Sequence, residues 1–329
     1  MLSPNLPRYQ GPVTDHFDGN QFQNLEPKPD RSFSDVVDWQ MKRELGTWQM
    51  RMDEPQGPPP PERVEKGELR VTFINHATIL LQVDGVNLLT DPIYSDRCSP
   101  LGWIGPKRHR KPGIRFRDLP PIDAVLISHN HYDHLDLPTL KRLSRDHDPL
   151  VLLPLGCKAL LDAEGISGGE EYDWWQSATV QKTAATFVPA QHWSGRSLGD
   201  ERATLWGGWV IQSPHGSIYY AGDTADGPHF QPIAERFGPF RLSILPIGAY
   251  VPRWFMSDHH MAPEEAVDVH RRINSQYSVA CHFGTFPLAD DGMDEPVEDL
   301  RKALRNKDVS GEEFWVLNNG EAKEVPPLD

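Results

Sequence analysis

Short apolar runs separated by turn residues fill the chain from residue 69 onwards. Three of them, at 69–74, 79–83 and 86–90, have the length of strands, and Asp84-Gly85 between the last two is typical of a hairpin turn. Further strands are predicted at 123–128, 151–154, 186–189, 206–212, 217–220, 242–246 and 278–282. Helices are predicted at 138–145, 158–164, 230–237, 263–273 and 297–305.

The order of these elements predicts how the sheets are layered. Strands joined by hairpins come first and strands alternating with helices follow, an order that favours two sheets packed between helices. The predicted fold class is therefore α/β, with an αββα sandwich. A chain of 329 residues with 38% hydrophobic residues is long enough to bury such a core.

The first 66 residues depart from this pattern. Proline and glutamine are frequent there, and residues 56–61 form a polyproline-like linker. Between Phe33 and Met52 apolar residues alternate with charged ones, and we expect a helix that packs on the core rather than on lipid. The sequence predicts an N-terminal arm over residues 1–66, Pro-rich and partly irregular, and a single folded domain over residues 67–329.

Charge and composition narrow the class of protein. A net charge of −14 disfavours binding to nucleic acid, since phosphate backbones attract basic surfaces. The sequence contains no run of eighteen apolar residues and no signal-peptide core. Its three cysteines form no CxxC pair, which suits a reducing compartment. We expect an intracellular protein, soluble or peripherally membrane-associated, without a signal peptide or transmembrane segment.

One short segment is basic, although the chain as a whole is acidic. It could be a solvated loop, or it could form a basic collar for an anionic substrate or membrane surface. Its basic residues are Lys107, Arg108, Arg110, Lys111, Arg115 and Arg117.

The segment from His129 to His134 carries the clearest chemical signal. It places three histidines and an aspartate in an HxHxDH pattern directly after the apolar run at 123–128. Neutral imidazole and carboxylate are ligands that zinc accepts readily. His129 and His131 can reach one ion, while Asp133 and His134 turn towards a second. The segment predicts a metal site with two ions.

Three more ligand candidates follow apolar runs further along the chain. They are His192, Asp223 and His282, and Gly222 permits a sharp turn before the aspartate. Taken alone, each has an ordinary explanation, such as a hydrogen-bonded core histidine or a helix cap. Together with the HxHxDH segment they complete a set of seven candidate ligands.

This order of ligands resembles the metallo-β-lactamase superfamily. Within it, the chain is more similar to the N-acyl-phosphatidylethanolamine-hydrolysing phospholipases D, which release N-acylethanolamines from membrane phospholipids. The resemblance covers roughly residues 69–305. The matching segments are 105–108, 119–136, 173–175, 191–193, 205–209, 221–224, 237–240, 246–250, 252–256, 263–267 and 282–286.

The resemblance implies a metallo-β-lactamase fold and two Zn²⁺ ions per chain. One would be held by His129, His131 and His192, the second by Asp133, His134 and His282, with Asp223 bridging both. Asp133, Asp223 and His260 are then the candidate catalytic residues. Arg253, Trp254 and His260 are the candidate substrate-binding residues, and His76 is expected to be structural rather than a ligand.

The resemblance also implies a phospholipid substrate, a peripheral membrane surface as partner and a homodimer as one assembly to test. Two alternatives remain open. A metallo-hydrolase of a soluble ester, lactone or phosphodiester would share every metal ligand. A non-catalytic zinc-binding membrane scaffold would be expected to lack a ligand, and none is missing here.

Overall fold

The computed structural model describes residues 8–28, 33–50, 52, 54–197 and 199–328. The strands found there are β1 Leu69–Asn75, β2 Thr78–Val83, β3 Val86–Thr90, β4 Ala124–Leu126, β5 Leu150–Pro154, β6 Gly169–Tyr172, β7 Ser177–Val180, β8 Thr183–Val188, β9 Gly208–Gln212, β10 Ser217–Tyr220, β11 Phe240–Pro246, β12 Ser275–Cys281, β13 Phe314–Trp315 and β14 Ala322–Glu324. The α-helices are α1 Phe33–Lys42, α2 Leu137–His147, α3 Lys158–Ala163, α4 Phe230–Phe237, α5 Arg253–Met256, α6 Pro263–Arg272 and α7 Glu295–Asn306.

The strands form two mixed seven-stranded sheets. The first has the order β14-β1-β2-β3-β4-β5-β6 and the second the order β13-β12-β11-β10-β9-β8-β7. Within each sheet some pairs are antiparallel, such as β1 with β2, and others are parallel, such as β11 with β12. The predicted sandwich of two sheets between helices is confirmed.

Alternation along the strands decides what each sheet face contacts. Leu81 belongs to the large core between the sheets, together with Trp209 of β9. Its neighbour Leu80 belongs to a second core, together with Leu140 of α2. Successive side chains of a strand point to opposite faces, so β2 can be buried on both sides. Strands buried in this way have continuous apolar runs, which is why the sequence predicts them well.

The four strands that the apolar pattern does not predict are the four edges of the two sheets. They are β6, β7, β13 and β14. β6 has the sequence GEEY and β14 the sequence AKE, so neither has an apolar run. Charged and short edge strands are common because they prevent pairing with other chains. Because these strands are short or polar, apolar runs in the sequence do not predict them.

The N-terminal arm packs on the folded domain. The rings of Phe17 and Phe22 are buried in the core between the sheets. The helix predicted between Phe33 and Met52 ends at Lys42, so the prediction is wrong for the residues that follow. Gly46 explains the change, because its N–H donates to the Asp290 carbonyl at 2.7 Å and its backbone approaches the 291–292 segment too closely for a side chain. Among the described residues, none of the helices is long and apolar enough to cross a membrane.

Candidate metal centre

Side chains from both sheets converge where several strands end. The 129–134 segment follows β4 of the first sheet. His192 follows β8, Asp223 follows β10 and His282 follows β12, all in the second sheet. The seven candidates from the sequence therefore meet at the seam between the sheets, and six of them are buried.

Three histidines form the first group. Nε2 of His129 lies 2.8 Å from Nδ1 of His131, and Nε2 of His192 lies 3.4 Å from the same atom. Three ring nitrogens so close together can contact one cation. This is the trio that the resemblance implies for one ion.

The second group contains two carboxylates and two histidines. Oδ2 of Asp133 lies 3.2 Å from Nε2 of His134 and 3.3 Å from Nε2 of His282. Oδ2 of Asp223 lies 3.1 Å from each of those two nitrogens. The same oxygen is 3.8 Å from Nε2 of His192, in the first group. Asp223 thus stands between the groups, as a bridging ligand must.

The first group fits a metal ion because its imidazoles are held neutral. Burial lowers the pKa of His131 to about 3, and the neighbouring histidines add to the effect. Burial likewise holds the pKa of His129 and His192 well below the ordinary value. A neutral imidazole keeps a lone pair for a metal. Among the described residues, Nε2 of His131 and Oδ1 of Asp223 are buried without a hydrogen-bond partner.

The second group is built to hold positive charge. Burial opposes ionisation of Asp223, but His134 and His282 outweigh it and hold the pKa of that carboxyl well below its usual range. Burial also opposes a charge on His282, yet Asp223 and Asp133 raise its pKa to about 9. Two buried carboxylates that attract protons to nearby imidazoles would attract a metal cation in the same way. The donor set therefore fits the metal ions of this fold.

Groups behind the ligands fix which nitrogen of each ring faces the centre. Asp91 accepts from Nδ1 of His134 at 2.6 Å, and the carbonyl of His259 accepts from Nδ1 of His192 at 2.9 Å. Both contacts leave Nε2 directed at the centre. Partners of this kind orient metal-binding histidines in many proteins.

Asp91 is not among the residues identified from the sequence, although His76 is already named there. Asp91 directly follows β3, at the strand end beside β4, and that position was a usable signal. Nε2 of His76 lies 2.8 Å from Oδ2 of Asp133, and His76 is close enough to Asp133, His134 and His282 to share a metal ion with them, so its structural role stays a prediction. No spacing rule links residue 76 to residue 133, because only the pairing of distant segments brings them together.

Glycine before Asp223 is required by the local geometry. Gly222 has φ +64°, a left-handed conformation that is costly for other residues. A Cβ at this position would lie 2.6 Å from Cβ of Ser128 and 2.8 Å from the carbonyl oxygen of Gly207. The turn after β10 can therefore aim the Asp223 carboxylate between the two groups only with glycine there.

The predicted substrate-side residues lie in different surroundings. The ring of His260 is 5.1 Å from that of His192, and burial lowers its pKa to about 3. Both terminal nitrogens of Arg253 are engaged, one with the Glu265 carboxylate at 2.9 Å and the other with the His260 carbonyl at 2.9 Å. Trp254 is 46% exposed and lines an open cavity of about 400 Å³. Substrate contact by these residues stays a prediction.

Of the six basic residues in the 107–117 segment, one is buried inside the protein and the other five are partly or fully exposed. Arg108 is 3% exposed and donates to the carbonyls of Ser95 and Ile93, so this residue takes part neither in a solvated loop nor in a surface collar, the two forms considered for the segment. The guanidinium of Arg108 lies over the ring of Phe286, 5.2 Å from its centroid, and this contact helps to bury the side chain. Lys107 is exposed.

Comparison with known proteins agrees with this geometry. Residues 86–283 match the family described as Beta-lactamase superfamily domain. The chain belongs to the metallo-β-lactamase superfamily. Solved structures share the superfamily fold with it: a metallo hydrolase from Ignicoccus hospitalis has a TM-score of 0.58 at 22% identity, covering 78% of this chain and 98% of that one. An isothiocyanate hydrolase from Delia radicum gut bacteria has a TM-score of 0.63 at 20% identity, covering 78% and 99%.

Relatives within the superfamily are more similar in sequence. An N-acyl-phosphatidylethanolamine-hydrolyzing phospholipase D of Caenorhabditis elegans is 36% identical over 78% of this chain and 76% of its own. The mitochondrial enzyme of that name from Saccharomyces cerevisiae is 34% identical over 70% and 50%. An uncharacterized protein of Mycobacterium tuberculosis is 39% identical over 88% and 79%. With its buried His/Asp groups, this member of the superfamily is a metal-dependent hydrolase.

Proposed function

We propose that this protein is a binuclear zinc phosphodiesterase that hydrolyses N-acyl-phosphatidylethanolamine-type phospholipids to N-acylethanolamine and phosphatidate. The observation that carries the proposal is the position of Asp223, within 4.0 Å of nitrogens in both ligand groups. A carboxylate shared by two adjacent sites suits phosphodiester hydrolysis, in which two metals act together. The two relatives bearing that enzyme name supply the substrate class.

The roles of the residues follow from their contacts. His129, His131 and His192 would hold one ion, Asp133, His134 and His282 the other, and Asp223 both. When bound, the ions would polarise the phosphate as Lewis acids and lower the pKa of a water molecule.

Other groups of the chain position the metal ligands or bind the substrate. Asp91 holds the His134 ring, and the His259 carbonyl holds the His192 ring. The His260 ring lies beside the centre, and its Nδ1 is buried without a partner among the described residues. We assign to it a hydrogen bond with the headgroup near the ethanolamine oxygen. Arg253 would then act indirectly, because it holds the His260 carbonyl.

Membrane docking is part of the same proposal, since the substrate is a lipid. Exposed Trp254 beside Trp39, and exposed Trp103 and Ile104, could enter the interfacial region of a bilayer. Lys107 adds a positive charge close to the last two in sequence.

The first experiment is product analysis by mass spectrometry. Zinc-loaded protein is mixed with N-acyl-phosphatidylethanolamine in detergent micelles made with ¹⁸O-labelled water. We expect N-acylethanolamine without label and phosphatidate carrying it, because the predicted cut lies between phosphorus and the ethanolamine oxygen. Asp223→Asn should abolish both products. Label in the N-acylethanolamine, or release of a free fatty acid instead, would contradict the proposed cut.

A hydrolase of a soluble ester, lactone or phosphodiester is the second candidate. It is favoured by the internal use of Arg108 and Arg253, which leaves fewer basic groups for a lipid phosphate. Turnover of small soluble substrates, with no cleavage of the phospholipid by the same metal-loaded sample, would select it. His260→Ala separates the cases further: it should lower kcat/KM for the phospholipid about 10- to 100-fold if the headgroup contact exists. His215→Ala, outside the centre, is the matched control.

A further inference from the structure

The N-terminal arm reaches the metal centre. Its segment 8–28 is anchored by Phe17 and Phe22, which are buried in the core between the sheets. The N–H of Phe22 donates to the carbonyl of Arg202 at 2.8 Å. From this anchor the arm continues to Asn24, which lies against the loop that carries His192.

Asn24 contacts the backbone of a metal-ligand candidate on both sides. Its Nδ2 donates to the carbonyl of His192 at 2.9 Å, and its Oδ1 accepts from the N–H of His192 at 3.1 Å. The same Oδ1 accepts from Nε1 of buried Trp206 at 2.9 Å. The side-chain amide therefore pairs with His192 as a neighbouring strand would, and Trp206 fixes the orientation of the amide.

The loop is held at one further point by the arm. Nε2 of Gln191 donates to the carbonyl of Glu26 at 3.1 Å. The imidazole of His192 is oriented separately, because its Nδ1 contacts the His259 carbonyl at 2.9 Å. The backbone of this ligand is thus set by the arm and its ring by the folded domain.

We propose that Asn24 is a positioning residue for the metal centre, and that the arm completes the site of the ion held by His129, His131 and His192. It acts on the ion only through His192. This inference rests on the metal centre and not on the substrate, so it stands whether or not the protein cleaves a phospholipid.

The test compares metal binding by Asn24→Ala with that of two arm controls. Gln21→Ala removes a contact with the Glu201 carbonyl, and Asn20→Ala removes an exposed contact with Arg8. Among the described residues, the contacts of both control side chains are with Arg8, Glu201 and Arg202, outside the 191–192 loop. Zinc affinity is measured by competition with a chromogenic chelator, and the coordination sphere by the visible absorption spectrum of the cobalt-substituted protein.

We expect Asn24→Ala to weaken one of the ions about tenfold, in line with changes to groups that orient ligands, and to leave the other unchanged. The cobalt bands of the weakened site should shift in position or intensity at saturating metal. The two controls should bind both ions as the wild-type protein does. Wild-type affinity and an unaltered cobalt spectrum in Asn24→Ala would overturn the proposal and reduce Asn24 to an anchor of the arm.

A second variant covers the case in which Asn24→Ala fails to fold. Asn24→Asp keeps the size of the side chain and the acceptor for the His192 and Trp206 N–H groups. It places a second oxygen against the His192 carbonyl, where Nδ2 donated before. We expect the same ion to be weakened at least tenfold. An unchanged affinity in this variant would equally contradict a positioning role.

Discussion

Asp91 lies behind His134 and accepts a hydrogen bond from its Nδ1, with 2.6 Å between the two atoms. The carboxylate is fully buried and also accepts from the N–H of Ser128 at 2.7 Å and from the Tyr220 hydroxyl at 2.5 Å. The ring of His134 consequently presents Nε2 to Asp223 at 3.1 Å. One carboxylate thus joins β3, the ligand loop and β10.

Replacing Asp91 should destabilise the protein even without metal. Asp91→Ala leaves four buried donors without their acceptor, because the Ser128 hydroxyl donates to the same carboxylate, and we expect the free energy of unfolding to fall by about 3–5 kcal/mol. Urea unfolding in the presence of a chelator measures this loss apart from metal affinity. Asp91→Asn, which keeps the shape, should lose less. Equal stability of Asp91→Ala and the wild-type protein would mean that these contacts are not formed.

The turn at Gly222 gives a second prediction. Gly222→Ala combines a left-handed backbone with two close contacts of the new Cβ. It would lie 2.6 Å from Cβ of Ser128 and 2.8 Å from the carbonyl oxygen of Gly207. We expect a loss of about 2 kcal/mol or more in unfolding free energy and weaker binding of metal, since Asp223 must move. Gly102→Ala is the matched control, because a Cβ there meets no atom within 4 Å. Its stability should stay within about 0.5 kcal/mol of wild type. Equal effects of the two variants would refute the argument.

Metal removal should show how the ions are divided between the two groups. We expect the wild-type protein to bind about two zinc ions per chain, and chelation to lower the thermal midpoint by about 5 °C or more. His131→Ala should retain one ion, His282→Ala the other, and Asp223→Ala should weaken both. Elemental analysis by mass spectrometry of dialysed samples, with melting curves, measures these changes. Loss of both ions in His131→Ala would mean that the groups are not separate.

His270 makes stability depend on pH at a site away from the metal. Burial, with a smaller effect from Arg271, lowers its pKa to about 4, and Nδ1 shares a hydrogen bond with the Ser278 hydroxyl at 2.8 Å. Between pH 6.5 and 4 the unfolded chain binds a proton there that the folded protein does not. Stability from this residue is therefore present above pH 6.5 and is lost as the pH falls, by about 3 kcal/mol at pH 4.

His270→Gln should remove this dependence. Urea unfolding of both proteins in chelator, from pH 7 to pH 4, should show a slope about 1.4 kcal/mol per pH unit steeper for the wild-type protein in that window. Comparing the two slopes cancels the other groups that titrate there. Identical slopes would show that the pKa of His270 is the same in the folded protein as in the unfolded chain.

The sequence predicts the central strands and all seven ligand candidates because each has a local signal. An apolar run indicates a buried strand, and a histidine or aspartate directly after the run indicates a ligand at the end of that strand. The edges β6, β7, β13 and β14 lack that signal, since they are short or polar. Apolar patterns therefore predict the central strands of a sheet more easily than its edge strands.

Other features depend on contacts between distant segments and have no local signal. Arg253 is a candidate substrate-binding residue in the sequence, but its side chain contacts Glu265 of α6, a contact that the sequence does not indicate. The contact of Asn24 with His192 joins residues 168 positions apart. An asparagine in a proline-rich arm has no distinctive sequence signal, so its contact with His192 can be seen only in the folded protein.

The ligands come from two halves of the chain, because each group combines residues of the 129–134 segment with at least one from beyond residue 190. Neither half alone can hold an ion tightly, since a preformed site rarely exists before the segments meet. Capture of the ions must therefore come late, after the two sheets have joined. A chain made while metal is scarce can then fold first and take up its ions afterwards.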